Sequence, residues 1–121
     1  DSSYQKSVVH HEYYHNIEEE FNGDQYYFDP VWNSFNSESF EYGTGGKACY
    51  ESPREKVGGF FSGYSTCGLE EDKAEVFAAL LLEEDRTELE NLIDGGDTVL
   101  ENKAEYMIDF LGEHGLTIAP L

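Results

Sequence analysis

His11-Glu12-Tyr13-Tyr14-His15 lies in a stretch, Ser7 to Ile17, that holds neither glycine nor proline. On a helix, residues four apart stand one turn apart on the same face, so His11 and His15 can address one metal ion. Glu12 follows the first histidine, where its carboxylate reaches a metal-held water without being a ligand. The pattern therefore asks for a helix, with Ser7 as a cap ahead of it and Val8 and Ile17 on its buried side. His10 lies about 100° around the helix from His11 and falls outside the same site. It is expected at the edge of the site or on the surface.

Two histidines leave a metal short of protein ligands, since a catalytic zinc usually takes three plus a water. His114 stands beside Gly112 and Gly115 in what looks like a helix end, so an acid is the better third ligand. Residues Leu69 to Leu82 form a strong helical pattern, with Val76, Phe77, Leu80 and Leu81 at helical spacing. Glu71 and Glu75 share a face of it. One can ligate while the other, a turn away, accepts a hydrogen bond from a ligand histidine and fixes its tautomer. Taken alone, acids on an amphipathic helix are more often a solvated face.

Together these motifs resemble the gluzincin branch of zinc metallopeptidases, in which H-E-x-x-H precedes a second helix bearing E-x-x-x-(D/E). The phrase Glu71-Asp72-Lys73-Ala74-Glu75-Val76-Phe77-Ala78 is similar to the E-D-x-A-E-x-F-A segment of secreted zincin-like peptidases. These include bacterial zinc-binding metallopeptidases and, more distantly, the catalytic domain of anthrax lethal factor. A looser similarity covers Asp29-Pro30-Val31-Trp32-Asn33-Ser34-Phe35-Asn36 and Phe40-Glu41-Tyr42-Gly43, so the likeness runs from about Ser7 to Leu82. The resemblance implies Zn2+ held by His11, His15 and Glu71, with Glu75 behind a histidine and Glu12 as general base. It also implies that Tyr64, seven residues before Glu71, donates to the oxyanion of the tetrahedral intermediate. The implied activity is peptide-bond hydrolysis by a secreted enzyme acting on a peptide or protein substrate. That family places a twisted sheet ahead of the active-site helix, whereas about six residues precede it here. This implies a domain without the sheet, either the C-terminal piece of a longer protein or one that has lost it. The alternative is a non-catalytic zinc-binding relative or fragment that serves as an acidic interaction module.

At 121 residues the chain is expected to form a single domain spanning 1–121. With 26 acids against 7 bases, its net charge of −19 argues against binding nucleic acid or an anionic membrane by simple electrostatics. A solvated acidic surface is the plainer account of that charge. No stretch is long and apolar enough to span a bilayer, and no signal peptide is present, so an exported protein would have lost its signal. Cys49 and Cys67 flank a Gly-rich stretch. They are either bridged, closing a loop worth roughly 3 kcal/mol, or simply buried thiols.

Four helices are expected, at about Ser3–Phe21, Leu69–Glu83, Arg86–Asp94 and Thr98–Glu113, with Gly95-Gly96 separating the last two and Asp97 or Thr98 as a cap. Leu100, Ala104, Met107, Ile108 and Leu111 make a packing stripe on the final helix. Between Asn22 and Gly63 runs a long irregular connection rich in aromatics and glycine, with Tyr26-Tyr27-Phe28 and Gly59-Phe60-Phe61 as short strands. A loop of that length in a compact domain points to a functional wall, here carrying Tyr64 toward the metal. The fold class is thus mainly α, α+β at most, with little sheet. Oligomeric state has no signature in the chain.

Overall fold

In the computed structural model the described residues are 2–43, 49 and 55–121, with side chains from residue 5 onward. The architecture is mainly helical, and no strand occurs among the described residues. Five α-helices occur there: α1 (Ser2–Asn22), α2 (Pro30–Ser34), α3 (Leu69–Leu81), α4 (Glu83–Asp94) and α5 (Thr98–Glu113). A 3-10 turn, Tyr64–Cys67, leads directly into α3. None of these helices is long and apolar enough to cross a membrane.

Local chemistry sets the boundaries. The first helix starts before Ser7, which engages Asp85 instead of capping it. It ends at Gly23, whose φ of 87° suits glycine and whose amide closes on the Glu19 carbonyl at 2.9 Å. Asp29 caps α2 by accepting from the Val31 and Trp32 amides, and Pro30 takes the first helical position, where no amide is needed. Asp97 caps α5 by accepting from Leu100 at 3.0 Å.

Helix α3 is the centre of the fold and packs on α1, α4 and α5. Its face of Val76, Phe77 and Leu80 is buried, whereas Leu81 is exposed. Helix α1 turns Tyr14 and Ile17 inward, and Tyr14 meets the Phe77 ring at 5.2 Å. Val8, expected on the buried side, is exposed, because α1 packs through the 14/17/18 side. On α5, Leu100, Ala104, Met107 and Leu111 are buried as the stripe requires, and Ile108 packs at its margin.

Two lysines and three carboxylates lie inside this core. Lys73 Nζ stands 2.7 Å from Glu18 Oε1 and 2.9 Å from Asp29 Oδ2, and Tyr106 donates to the same Asp29 oxygen at 2.7 Å. Lys103 Nζ stands 2.8 Å from Asp72 Oδ2, which also accepts from Trp32 Nε1 at 3.0 Å and from the Tyr42 hydroxyl at 2.6 Å. Charges can be buried there because each has an opposite partner and further hydrogen bonds. These contacts tie the aromatic connection to α3.

The two short strands expected in that connection do not form. Asp24 Oδ1 accepts from the Tyr26 amide at 2.8 Å and the Asp24 carbonyl from the Tyr27 amide at 3.0 Å, which curls the chain into a turn. Gly59 sits at φ 91° in another turn, and Phe60 is buried beneath Lys103, whose Nζ lies 3.7 Å from its ring centre. The rest of the irregular connection between Asn22 and Gly63 includes residues 44–48 and 50–54, which lie outside the described residues. Cys49 and Cys67 are joined by a disulfide with Cα atoms 6.0 Å apart, which decides between the bridge and buried thiols.

Candidate metal centre

Helical periodicity brings His11 and His15 to one side of α1, and their rings meet edge-on with centroids 5.1 Å apart. Facing them on α3 is Glu71. Its Oε2 lies 3.3 Å from His11 Nε2 and its Oε1 lies 3.0 Å from His15 Nε2. One ligand atom from each of the three residues falls within 4.8 Å of the others, close enough for a small side-chain adjustment to bring all three onto one ion. Two imidazoles and a carboxylate are the donor chemistry that suits zinc, so the residues fit that ion.

The neighbours of this trio explain its orientation. Glu75, one turn along α3, places Oε2 at 2.9 Å from His11 Nδ1. An ionised carboxylate only accepts, so His11 donates from Nδ1 to Glu75 and, in the metal-free chain, from Nε2 to Glu71; the Nε2 proton is the one a metal would displace. Glu12 is exposed, and its Oε1 lies 4.0 Å from His11 Nε2, beside the centre without joining it. Tyr64, on the 3-10 turn, lies against His11 with ring centroids 5.5 Å apart, and its hydroxyl donates to Glu71.

Charge is balanced within the site. Burial disfavours a charged His11, but the hydrogen bonds and charges of Glu71 and Glu75 outweigh it and raise its pKa to about 9. Burial likewise works against an ionised Glu71, yet hydrogen bonds from His11, His15 and Tyr64 hold its carboxyl far below the usual range. Burial and then the adjacent Glu71 push the Tyr64 hydroxyl up, so it remains a donor at neutral pH.

The structure thus brings together His11, His15, Glu71, Glu75, Tyr64 and, at the rim, Glu12. The remaining histidines stand apart. His10 Nδ1 is hydrogen-bonded to the Lys6 carbonyl at 2.8 Å, and the His114 ring stacks on Phe21 with centroids 4.0 Å apart. Ser62 and Ser65 carry no sequence signal for this site, yet Ser62 Oγ donates to Glu75 Oε1 at 2.6 Å and lies 3.1 Å from Ser65 Oγ. Comparison with protein-family models, with curated proteins and with solved structures returned no match.

Proposed function

We propose that this chain is a zinc-dependent peptidase of the gluzincin kind, with His11, His15 and Glu71 as ligands. The observation that carries the reading is the convergence of those three donors, with Glu12 beside them and outside the ligand set. Zinc held there supplies Lewis acidity, lowering the pKa of a water and polarising the scissile carbonyl.

Everything else falls to the chain. Glu12 accepts the proton of the attacking water and later delivers it to the leaving amine. Its exposure leaves it free to swing between the two positions. Tyr64 keeps its proton and donates a hydrogen bond to the oxyanion of the tetrahedral intermediate. Glu75 holds the His11 ring by Nδ1, which leaves Nε2 on the Glu71 side as the atom that would ligate zinc. The Cys49–Cys67 bridge supports an oxidising compartment and therefore a secreted protein. A net charge of −19 disfavours nucleic acid as the partner, and the peptide or protein substrate follows from the gluzincin-like arrangement of the donors.

The test is metal content followed by proteolysis. The purified chain should take up one equivalent of zinc and cleave an unstructured protein such as casein, with cleavage abolished by a chelator and restored by zinc. Full zinc binding without cleavage would leave the alternative, a non-catalytic zinc domain. Less than about half an equivalent of zinc would remove both readings.

A further inference from the structure

We infer that Ser62 is a positioning residue of the metal centre, locking Glu75 against His11 with Ser65 behind it. The inference rests on the metal-site reading above and adds to it a control on ligand orientation. Glu75 is partly exposed, with 18% of its side-chain surface accessible, so burial alone does not fix its carboxylate. Its two oxygens take different partners, His11 Nδ1 on Oε2 and Ser62 Oγ on Oε1.

The direction of every bond in this chain follows from chemistry. An ionised Glu75 has no proton to give, so the Ser62 hydroxyl donates to it. The lone pairs of Ser62 then accept, from the Ser65 amide at 3.2 Å and the Ser65 hydroxyl at 3.1 Å. The Ser62 amide returns a bond to Ser65 Oγ at 3.3 Å. Ser65 is fully buried, which is uncommon for serine and gives Ser62 a rigid anchor.

The result is an ordered path, Ser65 to Ser62 to Glu75 to His11. It has a second consequence. Ser65 belongs to the same 3-10 turn as Tyr64, whose hydroxyl donates to Glu71. One turn therefore holds two ligands, Glu71 through Tyr64 and His11 through Ser62 and Glu75. Loss of the Ser62 hydroxyl frees Glu75 to rotate toward solvent and leaves the His11 Nδ1 proton without a fixed acceptor.

The experiment uses the full chain loaded with zinc, comparing wild type with Ser62→Ala, Ser62→Thr and Ser62→Cys. Zinc affinity is read by chelator competition, and the His11 ring by long-range proton–nitrogen NMR. Removing a residue that orients a ligand typically costs 10–100-fold in affinity, and Ser62 acts one bond further out, so Ser62→Ala should weaken zinc by about 3–10-fold. Its His11 Nδ1 proton should exchange faster, and Ser62→Thr should restore both. Ser62→Cys keeps the size with a weak donor and should resemble alanine, which decides the matter if the alanine variant does not fold. Unchanged zinc affinity and an unchanged ring signal in the alanine or cysteine variant, with wild type binding zinc, would overturn the role of Ser62 alone. A wild type that fails to bind zinc would overturn the site reading and this inference with it.

Discussion

Lys103 and Asp72 form an ion pair at 2.8 Å with no solvent access to either side chain. Asp72 directly follows Glu71, so the pair anchors the start of α3 beside the candidate metal centre, and Trp32 and Tyr42 bond to the same carboxylate oxygen. Breaking a buried pair from one side leaves a charge without a partner, at a cost of about 3–5 kcal/mol. Lys103→Met should therefore destabilise the chain by that amount in urea denaturation. Adding Asp72→Asn, which removes the stranded charge, should recover part of the loss. A single variant within 1 kcal/mol of wild type would mean that the pair contributes little (compare the roughly 0–1 kcal/mol of a surface pair).

Variants at the glutamate and the second histidine of the H-E-x-x-H string should separate binding from chemistry. Glu12 sits beside the centre without joining it, so Glu12→Gln should keep a full equivalent of zinc. It should also lower peptide hydrolysis by roughly 10²–10⁴-fold, the range for a lost general acid–base. His15 supplies one of the three converging donors, so His15→Ala should lose both metal and activity. Metal analysis and a casein assay on the same preparations suffice. Full zinc occupancy in the His15→Ala protein is the outcome that would sink the site.

Helical period makes two pairs of these donors legible in the sequence, whereas the meeting of the pairs and the choice of Glu71 as ligand come only from the resemblance to gluzincins. His11 and His15 share one turn of α1, and Glu71 and Glu75 share one turn of α3. Ser62 was not legible, because it reaches Glu75 from an irregular segment where spacing carries no geometry. Buried charge was hidden for another reason. Glu18, Asp72 and Lys73 stand in acidic runs that look like solvated helix faces, and only their partners Asp29, Lys103, Trp32 and Tyr42, distant in sequence, make burial tolerable. Helix α2 is too short to show a helical period, so its signature, Asp29 then Pro30, does not stand out from the surrounding irregular chain. The aromatic run Tyr26–Phe28 has strand propensity but no neighbouring strand to pair with among the described residues, and the local Asp24 turn prevails.

Proton release should accompany metal binding. With its pKa raised from 6.5 to about 9, His11 of the metal-free chain is protonated in the folded state at neutral pH. A raised folded pKa stabilises fully below 6.5, and the contribution is lost as pH climbs through about 9. The metal-free chain should therefore lose stability between those values in a series of thermal melts. Zinc needs the neutral imidazole, so its apparent affinity should rise over the same interval and each binding event near pH 7.5 should release a proton. Calorimetry in buffers of different ionisation enthalpy measures that proton. Identical heats in all buffers would show that His11 carries none.

The disulfide fastens the turn that supports the centre. Cys67 ends the 3-10 turn that begins with Tyr64, and Gly68 then leads into α3 and Glu71. Cross-linking residues 18 apart in sequence limits the unfolded chain by about 3 kcal/mol. Cys49→Ser should lower stability by that amount, and it leaves the buried Cys67 in place. Zinc binding should persist, because the bridge contributes no donor to the site and α1 still packs on α3. Paired denaturation and chelator-competition measurements, on the variant and on reduced wild type, check both halves. Loss of zinc with stability unchanged would reverse the assignment, making the bridge part of the centre and not a brace for it.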